Sequence, residues 1–330
     1  MDEEFGRYKR KEKEITEHIS RYIQLITDNH LEGTETGDVI RSAVGTTGKM
    51  VRPKLLLLCS GFGPDHKEKY ERLCMTAAMV ELTHAASLVH DDIIDDSDLR
   101  RGKPSVQAKY GKDAAVYAGD FILSRVTYWE LKEKLYDAAL MLSRTMEEMC
   151  RGEIGQDLCK YREDVTCEEY LQNIIGKTAW LFRTACMLGA MEAGCDKETV
   201  EKLGQFGEYF GIMFQFRDDV LDYTATQKEA GKDTHKDFND GIYTIPVLMA
   251  MRSPEARRKL IPLMRMNRRR QLTVEEMKKV EEAVIRYGGV KQAKDEIRRY
   301  IQLAIGVLKE LRSCTSARVL VELLHEIEKE

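Results

Sequence analysis

Met75–Asp95, MTAAMVELTHAASLVHDDIID, is the stretch on which the fold turns. Met75, Ala77, Ala78, Met79, Val80, Leu82, Ala85, Ala86, Leu88 and Val89 leave almost no polar face at helical pitch, whereas a surface helix keeps one. The spacing predicts a helix buried all round at the centre of a bundle. That helix runs directly into a group of carboxylates.

Working outward, Ile15, Ile19, Tyr22, Ile23 and Ile26 recur at three- and four-residue steps, as do Val290, Ala293, Ile297, Ile301, Ala304, Val307, Leu308 and Leu311. Both ends therefore read as amphipathic helices. Proline is absent between Pro104 and Pro246, and strand-type alternation is absent there too, so helix is the economical reading. With no Gly/Ser/Pro-rich linker and no repeat, the expectation is one all-α domain over residues 1–330. Loops are expected at Gly61–Asp65, Leu99–Ser105, Thr226–Gly241 and the basic tract Arg257–Arg270.

The 330 residues are 43% apolar and 33% charged, enough to bury a large core. Lys and Arg number 52 against 56 Asp and Glu, and this net charge of −4 removes the global electrostatic case for a nucleic-acid partner. No apolar run approaches the roughly 20 residues of a membrane span. The charged start MDEEFGRYKRKEKE does not suit a signal peptide, so the cytoplasm is expected. Eight Cys without CxxC or metal-finger spacing read as free thiols. The basic tract reads as a solvated helix end, with peripheral contact to an anionic membrane as the alternative.

Asp-Asp-x-x-Asp occurs twice, as Asp91, Asp92 and Asp95 and as Asp218, Asp219 and Asp222. On a helix the first and last of each set share a face, where like charges repel by a few tenths of a kcal/mol. Something positive is needed there. Hard cations take carboxylate oxygen, and Mg²⁺ binds through one or two carboxylates plus phosphate oxygens. Neither set has the loop of a Ca²⁺ hand or the His/Cys donors of a zinc site.

Cations for a phosphate lie nearby in sequence. Arg100, Arg101 and Lys103 follow the first cluster, with Gly102 between them, and guanidinium forks match phosphate oxygens. Gly48-Lys49-Met50-Val51-Arg52-Pro53 leads into an apolar run with Pro53 as its first helical residue, which puts Lys49 and Arg52 at a helix N-terminus, a natural anion site. His84, two turns before Asp91, shares its face and can donate to a phosphate. Lys177 and Lys232 stand in isolated Gly-Lys contexts that periodicity does not resolve.

Together, HDDIIDDSDLRRGKPS, GKMVRP and FQFRDDVLDY resemble the trans-isoprenyl (polyprenyl) diphosphate synthases. GEIGQD, GKTAWLF and GIYTIPVL look like segments of the same family, over about residues 45 to 250. The resemblance implies an all-α fold around a deep cavity, a homodimer, and Mg²⁺ held on an allylic diphosphate by Asp91, Asp92, Asp95, Asp218 and, more distantly, Asp222. Arg100, Lys177, Gln215 and Lys232 would complete that site, with Thr178 and Gln215 facing the cation. Isopentenyl diphosphate would be held by Lys49, Arg52, His84 and Arg101. Ile242 stands where many members carry a Lys, and Asp233 where Pro is frequent.

Product length is a packing question in such a family. Ala86 and Ser87, just before Asp91, are small where short-chain members present an aromatic floor, and Thr83, further down the helix, offers no aromatic block either. An open groove favours a long product, heptaprenyl or octaprenyl. The alternatives are a floor supplied by Phe121, Tyr128 or Trp129, giving a geranylgeranyl- or farnesyl-type enzyme, or a partner subunit of a heteromeric synthase. A terpene cyclase would lack the second aspartate repeat.

Overall fold

The computed structural model describes residues 3–28, 31–45, 48–224 and 236–329, and its chain groups into two compact helical units. The first comprises Met1–Met146, Leu181–Gly207 and Val307–Leu323. It contains α1 (Glu3–Thr27), α2 (Glu35–Val44), α3 (Val51–Ser60), α4 (Tyr70–Ile94), β1 (Leu99–Arg100), β2 (Lys103–Pro104), α5 (Val106–Tyr110) and α6 (Lys112–Lys132). Parts of α7 (Tyr136–Leu158), α9 (Trp180–Glu192), α10 (Lys197–Thr224), α15 (Gly289–Glu310) and α16 (Thr315–Lys329) also belong to it.

α4 is the axis of this unit. α1, α2, α3, α5 and α6 all pack on it, and Leu73, Cys74, Ala77, Ala78, Met79, Val80 and Ala86 are fully buried. Small residues let neighbours close in. A side chain at Gly189 of α9 would strike the Leu56 carbonyl of α3, and one at Gly119 of α6 would strike the His90 ring of α4.

The second unit comprises Glu147–Trp180, Glu208–Gly306 and Leu324–Glu330. Its own elements are α8 (Cys167–Ile174), a π turn (Ile175–Ala179), α11 (Lys236–Asn239), α12 (Ile245–Ala250), α13 (Pro254–Asn267) and α14 (Val274–Arg286). α8 and α14 open with reciprocal capping boxes, Thr166 with Glu169 and Thr273 with Glu276, which satisfy the backbone N–H groups that a helix start leaves bare.

The all-α expectation holds, and its exceptions are local. Leu99–Ser105 contains a two-residue antiparallel hairpin, with Leu99 opposite Pro104 and Arg100 opposite Lys103. Arg101 and Gly102 both take positive φ at its tip, as a tight I′-type turn requires. Arg257–Asn267 is helical within α13 despite Pro262, and its cations are partly paired, Arg258 to Glu255 and Arg265 to Glu163. α3 begins at Val51, so Pro53 is its third residue, still within the turn whose N–H groups need no helical acceptor. α11 occupies the end of the expected Thr226–Gly241 loop, most of which lies outside the described residues. All eight Cys are free thiols. No helix among the described residues is long and apolar enough to cross a membrane.

Glu130 on α6 is only 3% exposed, and one carboxyl oxygen has no partner. Burial pushes its carboxyl up from 4.5 to about 7. The folded state holds this proton more tightly than the unfolded chain. Its contribution is therefore fully present below pH 4.5 and is lost as pH rises to about 7. Glu130→Gln removes that loss, of order 3 kcal/mol, and should raise Tm relative to wild type at pH 8 but not at pH 4.5. Parallel melting curves of the two proteins across this range check it.

Candidate active site

Both aspartate sets sit at the C-terminal ends of long helices. α4 ends at Ile94 with Asp95 as its cap, and α10 ends at Thr224; neither has a basic residue in its last turn. A helix C-terminus carries about half a negative charge, so these carboxylates add to a field that already repels them. Only a cation relieves it.

The members of each set are not equivalent. In the first, Asp91 is half-buried, Asp95 is exposed, and Asp92 is buried at 3% exposure. Asp92 accepts from Arg100 Nε at 3.0 and 3.2 Å and from its Nη2 as well. The guanidinium thus neutralises the one aspartate withdrawn from solvent. Asp96 is neutralised by Lys112 at 2.8 Å.

An anion-suited surface lies beside this set, within the first unit. The hairpin tip lays the Arg101 guanidinium against Gly48, where any Cβ would collide with it. Arg101 and Met50 are non-glycine residues in the left-handed region, a conformation that persists only where surrounding contacts hold it. Arg52, in the first turn of α3, stacks over the Phe182 ring at 4.3 Å. Lys49 is exposed just before the cap, and its carbonyl accepts from Lys54 at 2.6 Å. A small pocket, partly open to solvent, is lined by Glu81, His84, Asp92, Arg100 and Arg101 among others.

Burial, with the charges of Arg52, Arg101 and Arg100, holds His84 well below its usual pKa, so its ring is neutral. Glu81, one turn earlier, is buried, and desolvation raises its carboxyl against the pull of Arg52, Arg101 and Lys54. Sequence reasoning missed it. The signal was a lone acid inside the most apolar helix of the chain.

In the second unit, Asp218 is exposed beside Arg217 at 3.3 Å, and Asp222 is half-buried. Asp219 is buried with both oxygens occupied: Gln215 Nε2 donates to Oδ1 at 2.9 Å, and the Tyr170 hydroxyl donates to Oδ2. Burial pushes its carboxyl up to about 7, with Tyr170 and Gln215 opposing and Asp237 and Asp218 adding to the rise. Gln215 in turn accepts from the Thr178 hydroxyl at 2.9 Å. Thr178 and Lys177 ride on the π turn, an element frequent at functional sites. That turn sits against α7 because Gly152 and Gly176 lack side chains; a Cβ on Gly176 would meet the Glu148 carbonyl at 2.6 Å. Lys177 Nζ reaches Glu153 at 3.0 Å.

Lys232 lies outside the described residues. The small residues of α4 behave uniformly: Ala86 is fully buried, and the Thr83 and Ser87 hydroxyls are spent on the Met79 and His84 carbonyls of their own helix. Their outward surface is therefore largely apolar. Tyr128, one of the alternative floors, is 53% exposed, whereas Trp129 is buried. Among the described residues no group of three or more His, Cys, Asp or Glu side chains is placed to hold a metal ion.

Comparison with known proteins gives this arrangement a context. The polyprenyl synthetase family model matches residues 34–284. A heptaprenyl diphosphate synthase component 2 of Geobacillus stearothermophilus is 39% identical over 237 residues, covering 72% of this chain and 71% of that protein. The octaprenyl diphosphate synthase of Escherichia coli is 35% identical over 204 residues, 62% of each. A polyprenyl synthase of Caulobacter crescentus, solved with calcium and isoprenyl diphosphate, superposes with a TM-score of 0.88 at 26% identity, covering 99% of this chain and 98% of that one. This chain therefore belongs to the polyprenyl synthetase family, the trans-isoprenyl diphosphate synthases, and is a prenyltransferase.

Proposed function

We propose that this prenyltransferase condenses isopentenyl diphosphate head-to-tail with an allylic diphosphate primer in a Mg²⁺-dependent reaction, and extends it to an all-trans product of heptaprenyl or octaprenyl length. The observation that carries the reading is the pair of aspartate sets, each toward the C-terminal end of a long helix whose last turn holds no basic residue. Carboxylate oxygens at such an end suit Mg²⁺, which keeps several waters and shares its shell with phosphate rather than demanding an all-protein cage.

Asp91 and Asp95 would hold metal at the first set and Asp218 and Asp222 at the second, with Asp92 acting through Arg100. When bound, Mg²⁺ would offset the charge that grows on the departing diphosphate. Arg100, Lys177 and Lys232 add fixed positive charge at the allylic diphosphate. Lys49, Arg52 and Arg101 grip isopentenyl diphosphate, the last two preset by Phe182 and by the hairpin turn. His84, being neutral, donates one hydrogen bond. The isopentenyl double bond attacks the allylic cation, and the adduct loses a proton to the released diphosphate. Apolar walls along α4 keep water from the cation.

What supports a long product is side-chain size alone: Ala86 carries only a methyl group, although it is fully buried in the packing of α4. Ala86→Phe should shorten the product by at least one isoprene unit, and an unchanged product ladder removes the groove argument. A homodimer fits α6, where Tyr117, Tyr128 and Leu131 are 72%, 53% and 54% exposed at helical spacing around half-buried Phe121. A second reading, favoured by the component 2 relatives, is that turnover needs another subunit.

The test incubates the purified chain with isopentenyl diphosphate and, separately, dimethylallyl, geranyl, farnesyl and geranylgeranyl diphosphates, with Mg²⁺ or chelator. Long products from the chain alone support the first reading. Activity only after a second subunit is added supports the second. Turnover untouched by chelator sinks the metal-dependent mechanism.

A further inference from the structure

We infer that Tyr170 is a positioning residue: its hydroxyl anchors Asp219 and, through Gln215 and Thr178, holds the Lys177-bearing π turn in register with Asp218 and Asp222. The inference rests on the reading of Asp218, Asp222 and Lys177 given above. It divides the second motif into two exposed or half-exposed carboxylates that face ligand and one buried carboxylate that faces only protein.

Asp219 is 2% exposed, and both of its oxygens are occupied. One donor, Gln215, lies one turn back on the same helix, so the hydrogen bond that reaches Asp219 from α8 is the one from the Tyr170 hydroxyl. The phenol is itself well held. Its ring stacks on Phe216 at 6.2 Å and 17°. It follows directly on Glu169, whose carboxylate closes the α8 capping box and also accepts from Arg162 at 3.0 Å.

Packing alone does not call for this arrangement. A buried carboxylate with its donors is often no more stabilising than an apolar pair of the same volume, and Phe216 already supplies the apolar contact. What the polar chain adds is direction: it runs Tyr170, Asp219, Gln215, Thr178 and ends beside Lys177 on an irregular turn. Outer partners of this kind orient ligand-bearing groups, and their loss typically costs 10–100-fold in metal affinity or activity.

Tyr170→Phe keeps the ring and deletes the hydroxyl. It is expected to lower kcat and raise the Mg²⁺ midpoint, each by about tenfold, with KM for isopentenyl diphosphate within about twofold. A readout independent of turnover is Mn²⁺ binding by electron paramagnetic resonance in the presence of inorganic diphosphate, which should weaken by a similar factor. Asp219→Asn should give the same shift, and the double variant should be no worse than the poorer single one, since both cut one chain. Mn²⁺ binding unchanged in Tyr170→Phe, or effects that simply multiply in the double variant, overturn the inference while the functional reading stands. Wild-type protein that binds no Mn²⁺ with diphosphate and shows no turnover overturns that reading and this inference with it.

Discussion

Asp91→Asn and Asp218→Asn should each lower kcat by on the order of 10³-fold while leaving Tm unchanged or higher. Asp91 sits in the last turn of α4, which has no basic residue there, whereas Asp218 lies further from the end of α10, beside Arg217. The Asp91 carboxylate opposes the helix dipole by about 0.3–1 kcal/mol, and each of the two repels its neighbour on the same face. An amide of the same shape removes the charge, so the free protein gains what the bound metal loses. Turnover assays paired with thermal melts in chelator check this. A fall in Tm that accounts for the fall in activity would show that these aspartates serve the fold instead.

Arg100→Ala should destabilise the protein by about 3–5 kcal/mol, because it strands the buried Asp92 carboxylate. At this chain length that is roughly 10 °C in Tm. Arg100→Lys keeps the charge but loses the two-pronged geometry, so its cost should be intermediate. Arg100→Ala combined with Asp92→Asn should recover part of the loss, since no uncompensated charge remains. Additive melting temperatures across this cycle would mean that the pair is not coupled, and the account of Asp92 as a residue held by Arg100 would fail.

Some of the site was readable from local spacing. The apolar run before Asp91 marked α4, and the two aspartate repeats marked carboxylates that share a helix face, because helical pitch and charge repulsion both act within a few residues. Boundaries were less legible. α3 starts before Pro53 because the first turn tolerates proline at several positions. The hairpin at Leu99–Pro104 was unreadable because a ladder of two residues leaves no alternation to detect. The helical state of Arg257–Asn267 was obscured by its charge run, although burial of Leu260, Leu263 and Met264 outweighs the proline inside it.

By itself, the sequence determined that the chain is helical, that it carries two carboxylate sets at metal-ligand spacing, and which family it belongs to. Only the tertiary structure decided which aspartates meet solvent. Asp92 is withdrawn onto Arg100, Asp219 onto Tyr170 forty-nine positions away, and Glu81 is buried beneath the arginines of the first unit. The physical reason is that residue spacing along one helix reports a shared face, whereas burial and hydrogen-bond partnership depend on which other segments pack against that face.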